Sequence, residues 1–154
     1  MAAVHGFDGL FGEWSVRNLR LKTRFAGGND WDEFPGTMNV RPILGGAGNI
    51  DEIHFPTKGY TGATLRLFNH KTQEWSIYWT TDRTGVLDPP VAGPFEAGRG
   101  EFYGDDLDDG KPVRVRFIWS NITGNAARWE QAFSRDGGKT WEINWTMEFA
   151  RARP

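Results

Sequence analysis

Hydrophobic and polar residues alternate with a period of two along most of the chain, and glycine, proline, asparagine and aspartate separate the alternating runs. This pattern predicts short β-strands joined by tight turns. No segment keeps a helical period for more than a turn or two. The predicted strands span about residues 13–25, 36–44, 50–55, 63–69, 74–81, 100–103, 113–119, 128–133 and 141–149.

The last three predicted strands carry aromatic and aliphatic side chains on one face and charged side chains on the other. Alternate positions of a strand share a face, so the apolar face comprises Val113, Val115, Phe117, Trp119, Trp129, Gln131, Phe133, Trp141, Ile143, Trp145, Met147 and Phe149. The charged face comprises Arg114, Arg116, Arg128, Glu130, Glu142, Asn144 and Glu148. The turn places Phe133 opposite Trp141, Gln131 opposite Ile143 and Trp129 opposite Trp145.

The hairpin predicted over residues 63–81 follows the same plan. Leu65 and Leu67 share one face of its first strand, and Trp75, Ile77 and Trp79 share one face of its second.

Eight or nine strands in one domain are typical of a barrel or a sandwich. With no helix to cover its apolar face, the sheet has to close on itself or on another sheet, and closure into a barrel also removes the free edges. We therefore expect an all-β fold, a single antiparallel up-and-down β-barrel of about 8–9 strands that occupies residues 1–154 as one domain.

Composition narrows the choice of partners. The net charge is −2, from 18 basic and 20 acidic residues with no basic stripe, so nucleic acid is not expected as a partner. The absence of cysteine excludes disulfides and thiolate metal sites and is typical of an intracellular protein. No apolar run approaches ~20 residues, and the first residues do not form a signal peptide. These features predict a cytoplasmic protein without a membrane partner.

A Gly-x-Trp motif, Gly12-Glu13-Trp14, opens the first predicted strand, and Arg151 and Arg153 follow the last one. The arrangement resembles the lipocalin and wider calycin signature, and is nearest to bacterial lipocalin-like families that have no assigned function. The resemblance implies that the indole of Trp14 closes the barrel floor beneath a stacked arginine. The second lipocalin motif is represented only by the distant Thr80-Thr81-Asp82-Arg83.

Residues 134–141, Ser-Arg-Asp-Gly-Gly-Lys-Thr-Trp, match the Asp-box pattern S-x-D-x-G-x-T-W at every defined position. The Asp136 carboxylate is expected to accept hydrogen bonds from backbone N–H groups of its own turn. In sialidases the box recurs in every blade of a propeller, whereas here it occurs once in a chain too short for six blades. We interpret it as a structural hairpin staple.

Candidate catalytic and metal-binding groups are few. Glu52 and His54 share a strand face, but two ligands fall short of a metal or haem site, and a solvated face is the better interpretation. The acidic run at residues 105–110 lacks the downstream glutamate of a calcium loop and is interpreted as a charged turn. We expect no metal and no cofactor.

The main functional hypothesis is an intracellular carrier or sensor that binds a small apolar or aromatic molecule inside the barrel, which side chains either fill or leave open. The expected lining is Trp75, Trp79, Phe117, Trp119, Trp129, Trp145 and Met147, with Gln131 as polar anchor. Gln131 needs a partner if buried, either a ligand or a backbone group.

Two alternatives remain. A lipocalin-like barrel can host a cyclase, lyase or isomerase, for which Tyr78, Glu101 and Tyr103 are the candidate catalytic residues. A homodimeric interaction protein without a ligand is the other alternative, suggested by Ile118 on the charged face.

Overall fold

The computed structural model describes residues 3–152, and antiparallel strands dominate it. The strands are β1 (Gly12–Leu21), β2 (Trp31–Ile43), β3 (Gly48–Phe55), β4 (Tyr60–Asn69), β5 (Glu74–Thr81), β6 (Val91–Gly93), β7 (Phe95–Glu96), β8 (Arg99–Asp108), β9 (Lys111–Ser120), β10 (Ala126–Ser134) and β11 (Glu142–Arg151). Short 3₁₀ helices cover Ala3–His5, Asp8–Leu10 and Leu44–Gly46. None of the described helices is long and apolar enough to cross a bilayer.

Neighbouring strands pair in the order β6-β5-β4-β3-β2-β1-β11-β10-β9-β8-β7. A further pairing of β6 with β8, through Ala92 and Tyr103, closes the sheet into a barrel of ten strands. The predicted all-β antiparallel barrel is confirmed, and the sandwich alternative is not. The tenth barrel strand is β6, which the sequence did not predict because its three residues follow Pro89 and Pro90 and are too few to alternate.

The N-terminal segment fills one end of the barrel. Phe7 is fully buried and packs edge-on against Trp75 and Phe95, with ring centroids 5.0 Å apart in both pairs. Its ring also lies 6.1 Å from that of Trp119. Trp75 was expected to line a ligand site, but its indole N–H donates to the Ala3 carbonyl at 3.0 Å. It therefore belongs to this floor.

Trp14 and Arg151 are arranged as the calycin resemblance implies. The guanidinium carbon of Arg151 lies 3.7 Å from the Trp14 ring centroid, and the Trp14 indole donates to the Leu10 carbonyl at 2.8 Å. Gly12 has a φ of +112°, and a β-carbon there would lie 2.7 Å from the Arg151 Nη1 atom, so glycine is required beneath the guanidinium. Arg153 lies outside the described residues.

The register predicted for the last hairpin is wrong. Gln131 pairs with Trp145 and Ala132 with Ile143, so Asn144 is an extra residue that forms a β-bulge in β11. Trp129 consequently lies opposite Met147 rather than Trp145. Ile143 turns outward and Asn144 inward, the reverse of the predicted faces.

The Asp-box forms the turn that precedes β11. Asp136 accepts hydrogen bonds from the backbone N–H groups of Lys139 and Thr140, at 3.0 and 2.9 Å, and from the Ser134 hydroxyl at 2.7 Å. Together with the Thr140 hydroxyl, these donors hold the pKa of Asp136 well below its usual range. The Trp141 indole donates to a backbone carbonyl of the same loop. The box thus stabilises its own turn through hydrogen bonds among residues 134–141.

Replacing Trp14 with alanine should lower the free energy of unfolding by roughly 3–5 kcal/mol, the range for truncating a large buried aromatic side chain. Urea denaturation measures the loss. Trp31→Ala is the matched control, because Trp31 is only half-buried and should cost less. A Trp14→Ala protein as stable as the control would contradict the closing role of Trp14.

Replacing Asp136 with alanine should lower Tm at pH 7 and leave ligand affinity unchanged, because the staple lies outside the barrel interior. A carboxyl whose folded pKa is lowered stabilises the fold above its unfolded pKa of about 4, and this contribution is lost as pH falls further. The Tm difference from the wild type should therefore shrink below about pH 4. A difference that persists unchanged at low pH would argue against the carboxylate as its source.

Candidate functional site

The barrel interior opens at the end opposite Phe7. A pocket of about 370 Å³, here called the mouth pocket, lies among the ends of β1, β5, β8, β10 and β11. Below it lies an inner cavity of about 60 Å³. The two spaces share Ile77, Trp79, Phe117, Gln131 and Trp145 in their linings. The two spaces are therefore adjacent, and together they are here called the funnel.

Aromatic rings form the wall between the two spaces. Trp145 packs edge-to-face against Trp129, with centroids 5.6 Å apart, and against Trp79 at 6.5 Å. Phe117 meets Trp129 in the same way at 5.1 Å. Gly62 leaves room for Trp79, since a β-carbon there would lie 2.0 Å from the indole. These contacts fix flat apolar surfaces at the entrance of the inner cavity.

Polar contacts hold Trp145 in one orientation. Its indole N–H donates to the side-chain oxygen of buried Asn18 at 3.0 Å. The guanidinium of Arg20 lies over the same ring, 4.8 Å from its centroid, and donates to the Tyr60 hydroxyl at 3.0 Å. Trp145 is therefore a rigid part of the wall, which reduces the entropy lost when a ligand packs against it.

An ion pair lies inside the barrel, where the sequence analysis did not expect one. Arg66 donates to Asp51 at 2.7 Å, and their side chains are only 3% and 1% exposed. A second nitrogen of Arg66 donates to the Asn49 side chain at 2.8 Å. Burial raises the pKa of Asp51, against the opposing effect of the Arg66 charge. Both members of the pair line the inner cavity.

The face of β4 that was predicted to point inward is the wrong one. Leu65 and Leu67 are half-buried, whereas the alternate residues Thr64 and Arg66 are buried. Arg66 pairs directly with Ile77, whose side chain lines the cavity. Residues directly opposite each other on antiparallel strands point to the same face, so the register of the β4–β5 hairpin was the signal that identifies Arg66 as inward.

Gln131 lines both spaces, but its partner is neither of those considered. Its amide nitrogen donates to the side-chain oxygen of Asn144 at 2.8 Å. The β-bulge brings Asn144 inward, where the side chain is buried. The two amides form a polar pair at the neck of the funnel, and Gln131 is therefore less available as a ligand anchor than predicted.

The other predicted lining residues divide cleanly. Trp79, Phe117, Trp119, Trp129, Trp145 and Met147 all line the inner cavity. Trp75 does not contribute to it, because it lies at the start of β5, on the same inward face as Ile77 but nearer the floor, next to Phe7.

The candidate catalytic residues lie on the outer face of the barrel. Tyr78 lies between Ile77 and Trp79, which both point inward, and Glu101 and Tyr103 flank the buried Phe102. Because side chains alternate along a strand, these three residues do not face the cavity. The interior therefore lacks the acid or base proposed for an enzyme.

The contacts of Glu101 also argue against acid–base chemistry. It accepts hydrogen bonds from Arg99 at 2.9 Å and from the Tyr103 hydroxyl at 2.8 Å, and these lower the pKa of Glu101. Burial and the hydrogen bond to Glu101 raise the pKa of Tyr103. Both shifts move the groups away from neutrality, where a general acid or base is effective.

The remaining predicted features of the outer face are not brought together into a site. His54 contacts the Thr61 hydroxyl at 2.9 Å, and within residues 3–152 no group of three or more metal-ligating side chains is present. Ile118, proposed as a dimer contact, is only 6% exposed because it lies between the long side chains of Glu101 and Glu130 on the adjacent strands. It offers no surface for a partner.

No protein-family model matches the chain, and no curated protein matches it. Nine chains of solved structures match it, including the following two. A protein with unknown function from the DUF3598 family of Nostoc punctiforme is 10% identical with a TM-score of 0.48, over 95% of this chain and 48% of the other. An S-type phycobiliprotein lyase from Guillardia theta is 9% identical with a TM-score of 0.43, over 100% of this chain and 94% of the other. The chain thus spans about half the length of the Nostoc protein.

Replacing Gln131 with leucine should lower the free energy of unfolding by about 1–3 kcal/mol, because the buried oxygen of Asn144 loses its donor. The double variant Gln131→Leu/Asn144→Leu removes both partners and should recover part of the loss. Urea denaturation of both proteins checks the prediction. Equal stability of the wild type and both variants would show that the amide pair contributes nothing.

Proposed function

We propose that the chain acts as a single barrel domain that binds a small apolar or aromatic molecule, as a cytoplasmic carrier or sensor. The observation that carries the proposal is the funnel itself, a mouth pocket and an adjacent inner cavity that share rigid aromatic walls. Small-molecule sites are typically concave and mostly apolar, with a few placed polar groups.

Volume decides where the ligand lies. The mouth pocket, at about 370 Å³, falls within the range of roughly 300–1,000 Å³ typical of ligand pockets. The inner cavity, at about 60 Å³, is smaller than the engineered cavity of ~150 Å³ that binds benzene. The body of the ligand therefore occupies the mouth pocket, against Trp79, Phe117 and Trp145.

Charge at the rim favours a neutral, zwitterionic or cationic ligand over an anionic one. Arg24 is paired with Asp108, and Arg20 is stacked between Phe34 and Trp145. Asp88 and Asp106 lie on the same rim, and burial together with the Asp106 charge raises the pKa of Asp88. Asp105 also lines the mouth pocket, so four aspartates face two arginines and the rim is acidic on balance, which disfavours an anion.

A titration with naphthalene tests this function. Saturable binding should quench tryptophan emission and raise Tm, since a ligand that binds only the native state stabilises it by mass action. Trp79→Leu should weaken naphthalene binding about tenfold, by loss of ring stacking of roughly 1–3 kcal/mol. Trp31→Leu is the matched control, because Trp31 lines neither space, and it should leave affinity unchanged.

A filled, non-binding barrel predicts a different outcome. Tryptophan emission and Tm would then stay constant up to the solubility limit of naphthalene. Binding that Trp31→Leu weakens as much as Trp79→Leu would place the ligand outside the funnel.

A further inference from the structure

Three buried polar atoms around the inner cavity lack a hydrogen-bond partner among the described residues. They are the Nε donor of Arg66, the Oδ1 acceptor of Asp51 and the indole Nε1 donor of Trp119. All three side chains are at least nine-tenths buried and line the same cavity. Unpaired buried polar groups are destabilising and rare in native proteins, so three around one space indicate that water or a polar ligand group forms hydrogen bonds there.

The size of the inner cavity limits what can fill it. A volume of about 60 Å³ is several times the minimum of roughly 10–15 Å³ for one water molecule, but is too small for a ring. The cavity adjoins the mouth pocket at Trp79, Phe117 and Trp145. It therefore suits a group of a few atoms attached to a ligand whose body lies in the mouth pocket.

The charge balance of the cavity selects a neutral group. Arg66 and Asp51 neutralise each other at 2.7 Å, so an entering anion would be repelled by Asp51 and an entering cation by Arg66. Either ion would also lose its hydration in a buried space. The free hydrogen-bonding capacity is two donors and one acceptor, which complements a group that accepts two hydrogen bonds and donates one. A neutral amide has a carbonyl oxygen with two lone pairs and an adjacent N–H.

We propose that the inner cavity binds the neutral amide of a lactam-type ligand, with its carbonyl oxygen towards Arg66 Nε and Trp119 Nε1 and its N–H towards Asp51 Oδ1. The lactam ring itself lies in the mouth pocket against Trp79 and Trp145, and only its C=O and N–H edge points into the inner cavity. This assignment rests on the proposed function, because it names the class of ligand that the funnel takes.

Three bicyclic probes of nearly equal size distinguish a lactam site from a purely apolar site and from an anion site. Quinolin-2(1H)-one carries the lactam, naphthalene has no polar group, and 2-naphthoate carries an anion. Their dissociation constants are measured at neutral pH by calorimetry, for the wild type and for Trp119→Phe. Trp119→Phe removes the indole donor and should weaken the binding of quinolin-2(1H)-one about tenfold, the effect of one buried hydrogen bond. The affinity for naphthalene should fall less than about twofold.

Trp129→Phe is the matched control, because Trp129 lines the same cavity but its indole nitrogen is not among the unpaired buried atoms. It should change the affinities of quinolin-2(1H)-one and naphthalene by the same factor. Asp51→Leu/Arg66→Met provides a second variant, since replacing a buried ion pair by apolar residues of similar volume is often tolerated. This double variant should abolish the preferential loss seen with Trp119→Phe.

The outcomes are distinguishable. Naphthalene binding together with a quinolin-2(1H)-one affinity that Trp119→Phe does not change preferentially would overturn the lactam site and leave the proposed function standing. Tighter binding of 2-naphthoate than of quinolin-2(1H)-one would show that the inner cavity prefers an anion to a neutral amide, and would overturn the lactam site. Binding of none of the probes would overturn the proposed function and the lactam site together.

Discussion

Closure of the sheet into ten strands controls the rest of this structure. A barrel of about eight strands is just wide enough for its inward side chains to fill, and ten strands enclose more space. The N-terminal segment compensates at one end, where Phe7 inserts among aromatic rings and the Trp14–Arg151 stack lies nearby. The described residues supply no equivalent insertion at the other end, so the mouth pocket and the inner cavity remain.

Burial of the ion pair of Arg66 and Asp51 inside the barrel costs free energy. Two charges removed from water lose hydration that their mutual attraction only partly restores, and well-packed apolar residues are often equally or more stabilising. Within residues 3–152, the pair also has an Nε donor and an Oδ1 acceptor without hydrogen-bond partners. A ligand group that formed these hydrogen bonds would therefore be stabilised by them.

The parts of the structure that depend on local pattern were predictable from the sequence. Alternation gave nine of the ten barrel strands, and the Asp-box spacing gave the hydrogen bonds of Asp136. The failures have non-local causes. One extra residue, Asn144, forms a β-bulge in β11, so the residues before Trp145 point to the opposite faces from those predicted. The alternation of residues within β11 does not reveal this bulge. An arginine in a strand suggests an outward position, and only its pairing with Ile77 shows that Arg66 points inward.

Some tryptophans line the funnel and others lie away from it, so their separate signals can show where a ligand binds. Of the eight, Trp79, Trp119, Trp129 and Trp145 line the funnel, while Trp31 and Trp141 do not. The most direct measurement is therefore a two-dimensional ¹H–¹⁵N spectrum of the indole N–H signals during a titration with naphthalene. Our account predicts saturable shifts of the Trp79 and Trp145 signals with a common dissociation constant, and unchanged Trp31 and Trp141 signals. Unchanged funnel signals, or shifts that are largest at Trp31 and Trp141, would contradict it.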